Sequence, residues 1–152
     1  MGGSFFVSTF SSFPALPGWM HHKDTKGTKE EADRLSNVII GAALEVHRSV
    51  GPGLLESTYE ECLAHELTLR RIAFRRQVPL PLVYKGVRLD AGYRLDLLVE
   101  DLVVVELKAV DHLLPVHEAQ LLTYLRIAQV WLGLLFNFHA AVLRHGIRRM
   151  VL

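Results

Sequence analysis

The sequence predicts a mixed α/β domain in which helices cover a central sheet, and three observations carry that reading. Two amphipathic helix patterns come first, two nearly all-aliphatic strand patterns stand side by side in mid-chain, and a third helix separates them from further strands. The resulting order, α-α-β-β-β-α-β-β, is a layered α/β arrangement rather than a repeating βαβ one.

The chain has 152 residues, enough for one domain and a tail. Residues 1–33 read as a poorly ordered N-terminal tail, with Gly, Ser, Thr and Pro first and then a charged segment without apolar period; residues 34–152 read as the domain. From Leu35 onward, Val38, Ile39, Ala42, Ala43 and Val46 recur on one helix face, and Gly51-Pro52-Gly53 ends the pattern because proline cannot continue a helix. A second helix spans about residues 55–71, with Tyr59, Cys62, Leu63 and Leu67 along one side. Residues 77–84 form an edge or irregular strand, since Pro79 and Pro81 lack amide donors, and Lys85-Gly86 marks a turn. Residues 93–99 and 103–109 are the central strands, joined at Glu100-Asp101. The third helix starts at Pro115, a favoured first helical position, and runs to about residue 128. Residues 131–138 form a strand, and 142–151 close the sheet.

Half of the residues are hydrophobic and 22% are charged, which suits a globular core. The net charge of +1 points neither toward nor away from nucleic acid, so a basic surface has to come from local clusters. Cys62 is the single cysteine, which excludes an intrachain disulfide and, with no export signature, places the protein in a reducing cytoplasm. No apolar run is long enough to span a bilayer, so no membrane partner is expected.

Asp96, Glu106 and Lys108 interrupt the aliphatic background of the two central strands. Charges there are costly unless paired or bound to metal. Two readings fit: an Asp96–Lys108 ion pair with Glu106 at a wet strand end, or a metal site. Glu106 and Lys108, two apart, leave the same strand face. A two-residue turn at Glu100-Asp101 puts Asp96 opposite Val105 and on the other face from Glu106. A three-residue loop or a bulge puts Asp96 opposite Glu106, and the metal reading requires this odd register. Converging carboxylates suit Mg²⁺ or Mn²⁺, with the Leu107 carbonyl as a further donor and Lys108 beside the phosphate or the attacking water. Gln120 and Tyr124 share one face of the third helix. Glu56 sits where the helix macrodipole favours an acid, and His47 reads either as an accessory metal ligand or as a structural hydrogen-bonding group.

Gly53-Leu54-Leu55-Glu56-Ser57-Thr58-Tyr59 matches GxxExxY, and the match continues through Arg94-Leu95-Asp96, Glu106-Leu107-Lys108, Gln120 to Tyr124 as QxxxY, and Gly133 to Phe138. Over about residues 35–152 the chain resembles the GxxExxY protein family, which looks like a compact branch of the PD-(D/E)XK nuclease superfamily. That resemblance implies a restriction-endonuclease-like core and a metal-dependent nuclease acting on nucleic acid, with DNA favoured over RNA. It implies that Glu56, Asp96, Glu106 and Lys108 form the metal and catalytic site, and that Gln120 and Tyr124 line it. Tyr59, Arg75, Arg76 and Arg148 are the expected substrate contacts, although the arginine clusters also fit a solvated surface. The competing functions are a catalytically silent nucleic-acid-binding module and a partner-binding protein on the same fold. The sequence leaves the oligomeric state open.

Overall fold

The computed structural model describes residues 26–152 and opens on a long helix, α1 (Lys26–Val50). Helix therefore begins before the apolar pattern does, and residues 26–33, expected in the tail, form about its first two turns. Lysine, glutamate and alanine are good helix formers, so a charged stretch without apolar period is no obstacle. Long-range contacts hold this end: Ala32 is buried, Lys29 Nζ lies 5.1 Å from the Trp131 ring centroid, and Asp33 pairs with Arg149. The remaining expected tail, residues 1–25, lies outside the described residues.

Gly51 ends α1 with φ 69, a left-handed conformation that glycine adopts without a Cβ penalty, and its N–H donates to His47 O at 2.8 Å. Helix α2 (Glu56–Leu69) follows. Then come β1 (Phe74–Pro79), β2 (Leu82–Tyr84), β3 (Val87–Leu89), β4 (Arg94–Val99) and β5 (Val103–Lys108). Helix α3 (Pro115–Ala128), β6 (Leu132–Asn137), a 3-10 turn (Leu143–Gly146) and β7 (Ile147–Val151) complete the chain. The expected strand over 77–84 is two strands. Pro79 and Pro81 break the ladder between them, and β2 pairs with β3 in a separate hairpin.

The main sheet has five strands in the order β1-β4-β5-β6-β7. Its one parallel pair is β5 with β6, and α3 is the crossover such a pair requires. The aliphatic runs are explained by cover on both faces. On one side α1 and α2 pack Ile39, Ala43, Leu63 and Leu67 against Leu97, Val105, Leu134 and Phe136. On the other, α3 packs Leu121 and Leu125 against Leu98, Val104 and Leu135. Each fully buried leucine contributes roughly 1.5–3 kcal/mol by leaving water. Gly133 lets α3 come this close: a Cβ there would sit 2.8 Å from Leu121 Cδ1. Among the described residues no helix is long and apolar enough to cross a membrane.

The β4–β5 connection decides the register. Val99 pairs with Val103, leaving Glu100, Asp101 and Leu102 as a three-residue loop. Glu100 and Asp101 take φ 51 and 57, and Leu102 N–H donates to Val99 O at 2.9 Å. Two positive φ values inside such a closed turn define type I′, whose twist matches paired strands. The pairs Leu97↔Val105 and Leu98↔Val104 follow, and continuing them brings Asp96 opposite Glu106. This is the odd register on which the metal reading depends.

Candidate active site

At the end of the β4–β5 ladder the backbone pairing gives way to side chains. Asp96 N–H donates to Glu106 Oε1 at 3.2 Å, and Leu107 N–H donates to Asp96 Oδ2 at 2.8 Å. Each carboxylate thus stands in for a backbone acceptor, which fixes both acids while the strands part. Glu106 is 4% exposed. Burial, followed by the nearby Asp96, pushes its carboxyl well above the usual carboxylate range. One residue beyond Leu107 on β5, Lys108 Nζ donates to Gln120 Oε1 at 3.2 Å, and Gln120 Nε2 donates to Tyr124 Oη at 3.0 Å. Helix α3 therefore contributes a polar line, Gln120 to Tyr124, that orients the lysine. Pro115 opens that helix, and His117 Nδ1 accepts the Leu114 N–H at 2.9 Å to cap it.

Glu56 enters from the first turn of α2. With Ser57, Glu60, Gln77, Asp96 and Leu107 it lines an open cleft of about 350 Å³. Its carboxyl is raised by partial burial first and by Asp96 next. Elements distant in sequence (α2, β1, β4 and β5) thus converge on one acidic cleft, with Lys108 and the α3 line following Leu107 along β5.

A family profile described as the PD-(D/E)XK nuclease superfamily matches residues 33–150. The chain belongs to the PD-(D/E)XK nuclease superfamily. Its three helices among the described residues and its five-stranded mixed sheet are consistent with a restriction-endonuclease-like fold. No curated protein and no solved structure matches the chain.

Several expected site residues of this PD-(D/E)XK chain are placed elsewhere. Tyr59 was expected to touch substrate, yet it is 0% exposed. Its ring stacks on Phe138 with centroids 4.6 Å apart, and its hydroxyl donates to Gly51 O at 2.6 Å and accepts from Leu54 N–H at 3.1 Å. The tyrosine of the GxxExxY pattern locks the Gly51–Gly53 turn and so sets where Glu56 begins its helix. Arg76, an expected substrate contact, is engaged by Glu60 at 2.8 Å and Glu61 at 2.7 Å. Arg75 pairs with Asp101 at the far end of the strand, and Arg148 lies 3.7 Å from Glu118 while donating to the His145 and Ile147 carbonyls. His47 Nε2 is bonded to Ala140 O at 2.8 Å beside Phe138, away from the residues that line the cleft.

Three residues of the cleft were missed by sequence reasoning: Ser57, Glu60 and Gln77. Glu60 is 7% exposed and carries bonds from Arg76 and Gln77; its one sequence signal is its place four residues after Glu56, on the same helix face. Gln77 stands in register opposite Asp96 and gave no signal, because its conformation is not encoded in its side-chain type.

Among the described residues no group of three His, Cys, Asp or Glu is gathered tightly enough to count as a preformed metal cluster. The donor set nonetheless fits a hard divalent cation. Burial first and the nearby Asp96 next raise the carboxyls of both Glu56 and Glu106, and a cation beside them would favour their charged forms.

Proposed function

We propose that the chain is a Mg²⁺- or Mn²⁺-dependent nuclease of the GxxExxY type that hydrolyses phosphodiester bonds of DNA in the cytoplasm. The observation that carries this reading is the pair of bonds across β4 and β5, Asp96 N–H to Glu106 and Leu107 N–H to Asp96, beside a lysine held by Gln120. Asp96, Glu106, the Leu107 carbonyl and, directly or through water, Glu56 would hold the cation. When bound, it supplies Lewis acidity toward a phosphoryl oxygen and a more acidic water.

The protein's own groups have separable tasks. Lys108 presents a compact positive charge to the phosphate as negative charge builds on it. Gln120 accepts from Lys108 and so limits where that ammonium can point. Tyr124 accepts from Gln120, leaving its own hydroxyl proton for a phosphate oxygen. Leu107 N–H holds one Asp96 oxygen and leaves the other toward the cleft. Preorganisation of this kind lowers a barrier because no group must reorient as charge develops.

The test is metal-dependent cleavage of single- and double-stranded DNA and RNA by wild type, Asp96→Ala and Lys108→Ala, with folding checked by circular dichroism. Cutting of DNA by wild type with Mg²⁺ or Mn²⁺, lost by at least about a hundredfold in both variants, supports the nuclease reading. A folded wild type that neither cuts any substrate nor binds metal refutes it and leaves a nucleic-acid-binding module as the better account.

A further inference from the structure

Gln77 has φ 50, and among the described residues it is the one non-glycine residue with positive φ that lies inside a strand. Glutamine rarely adopts that conformation, and such residues persist where their surroundings over-determine them. The sheet shows what the conformation accomplishes. In a regular strand, residues two apart share a face. Yet on β4, Leu97 and Val99 belong to the core under α1 and α2, while Leu95 belongs to the core under α3. On β1, Phe74 packs against the first core and Val78 lies in the second. Both strands reverse their pleat at the same level, and the residues between are Gln77 and Asp96. The register is unchanged on either side, Arg76↔Leu97 and Val78↔Leu95, so no residue has been inserted. The reversal is made by rotation at Gln77, matched by Asp96 across the ladder.

The side chain then ties the reversal to the cleft. Gln77 Nε2 donates to Glu60 Oε1 at 2.5 Å and reaches Asp96 Oδ1 at 3.5 Å. Glu60 is itself anchored by Arg76 through Nε at 3.2 Å and Nη2 at 2.8 Å. The other Asp96 oxygen is taken by Leu107 N–H. The amide therefore stands beside the one Asp96 oxygen left for a ligand, with a half-buried ion pair behind it.

We propose that Gln77 is a positioning residue: its left-handed backbone turns Asp96 into the cleft, and its amide, braced by Glu60 and Arg76, sets the rotation of the Asp96 carboxylate for cation binding. This rests on the metal-dependent reading above. The device trades local conformational ease for orientation of a ligand, as outer supporting groups do around metal sites.

The experiment compares wild type, Gln77→Gly and Gln77→Asn by metal-free melting, Mn²⁺ titration calorimetry, and cleavage kinetics. Glycine accepts the left-handed backbone and removes the amide. Its melting temperature is expected to stay level or rise by a few °C, roughly 2–6 °C, as strain is relieved. Its Mn²⁺ affinity is expected to fall about 10–100-fold, the range seen when outer-shell partners of a metal ligand are removed, and kcat to fall more than KM changes. Asparagine tolerates the same backbone and keeps a shorter amide, so it recovers part of the affinity. Wild-type Mn²⁺ affinity and kcat in Gln77→Gly would overturn the proposal alone. So would a fall in melting temperature with no change in Mn²⁺ affinity, which marks Gln77 as a structural strap. A wild type that neither binds Mn²⁺ nor cuts overturns this proposal and the nuclease reading together.

Discussion

Replacing Glu106 by glutamine should stabilise the metal-free protein while abolishing its function. Glu106 is nearly fully buried, it accepts a hydrogen bond from Asp96 N–H, and the neighbouring Lys108 ammonium donates to Gln120. Burial and then Asp96 raise its carboxyl well above the usual range, so the folded protein keeps a proton that the unfolded chain releases near about pH 4.3. Below that pH both states hold the proton and its full stabilising contribution is present. As pH rises through the folded-state value, the unfolded state has already ionised and stability is lost. Glutamine mimics the protonated acid: Oε1 still accepts from Asp96 N–H, and the amide can donate to the Asp96 carboxylate. Removing an incompletely compensated buried polar group is worth about 1–2 kcal/mol at about pH 8, or roughly 3–8 °C for a domain of this size. Melting curves in chelator at about pH 4, 6 and 8 should show the two proteins converging in acid and separating as pH rises. Excess Mn²⁺ should invert the ranking, since a cation at about a hundred times its Kd stabilises wild type by about 2.7 kcal/mol and should leave Glu106→Gln unmoved. A variant that melts at or below wild type at every pH in chelator would show that Glu106 is well compensated, and the electrostatic account of the cleft would fall.

Three further outcomes separate scaffold from site. Tyr59→Phe removes two hydrogen bonds that close the turn before α2 and should cost about 1–2 kcal/mol by denaturant titration, with KM for nucleic acid unchanged because the ring is buried. Arg76→Ala leaves Glu60 nearly buried without its ion-pair partner and should lower stability by about 1–3 kcal/mol, whereas a pure loss of nucleic-acid affinity at unchanged melting temperature would restore Arg76 as a substrate contact. Gly133→Ala drives a methyl group into Leu121 and Leu125 and should cost about 1–3 kcal/mol, read as a lower denaturant midpoint at constant slope.

Much of the fold was legible because hydrophobic period and turn chemistry are local. The apolar stripe over Val38 to Val46, the stop at Gly51-Pro52-Gly53, Pro115 at a helix start and the two aliphatic strands all read directly from residue types. The first turns of α1 were not legible: their helix depends on Trp131 and Arg149, which meet it only after the sheet has formed. Nor did Pro79 and Pro81 reveal that the strand they interrupt becomes two, in different sheets.

For the site, sequence fixes which residues carry chemistry and leaves their direction undecided. Asp96, Glu106 and Lys108 announce themselves as charges among aliphatics, and Glu56 by its place at a helix start. Tyr59, Arg76 and His47 carry equally suggestive chemistry, yet each is consumed by a partner brought from far along the chain: Phe138, Glu60 and Ala140. The difference lies in what faces each group after folding. A polar side chain whose bonding capacity is met by the scaffold supports structure, and one left among like charges is held for a ligand. By that criterion the acidic cleft is the place where local rules yield, with a reversed pleat at Gln77, side chains replacing a ladder, and carboxyls that resist ionisation together. Stability alone gives no reason to assemble these three in one place, whereas the proposed cation would account for all of them.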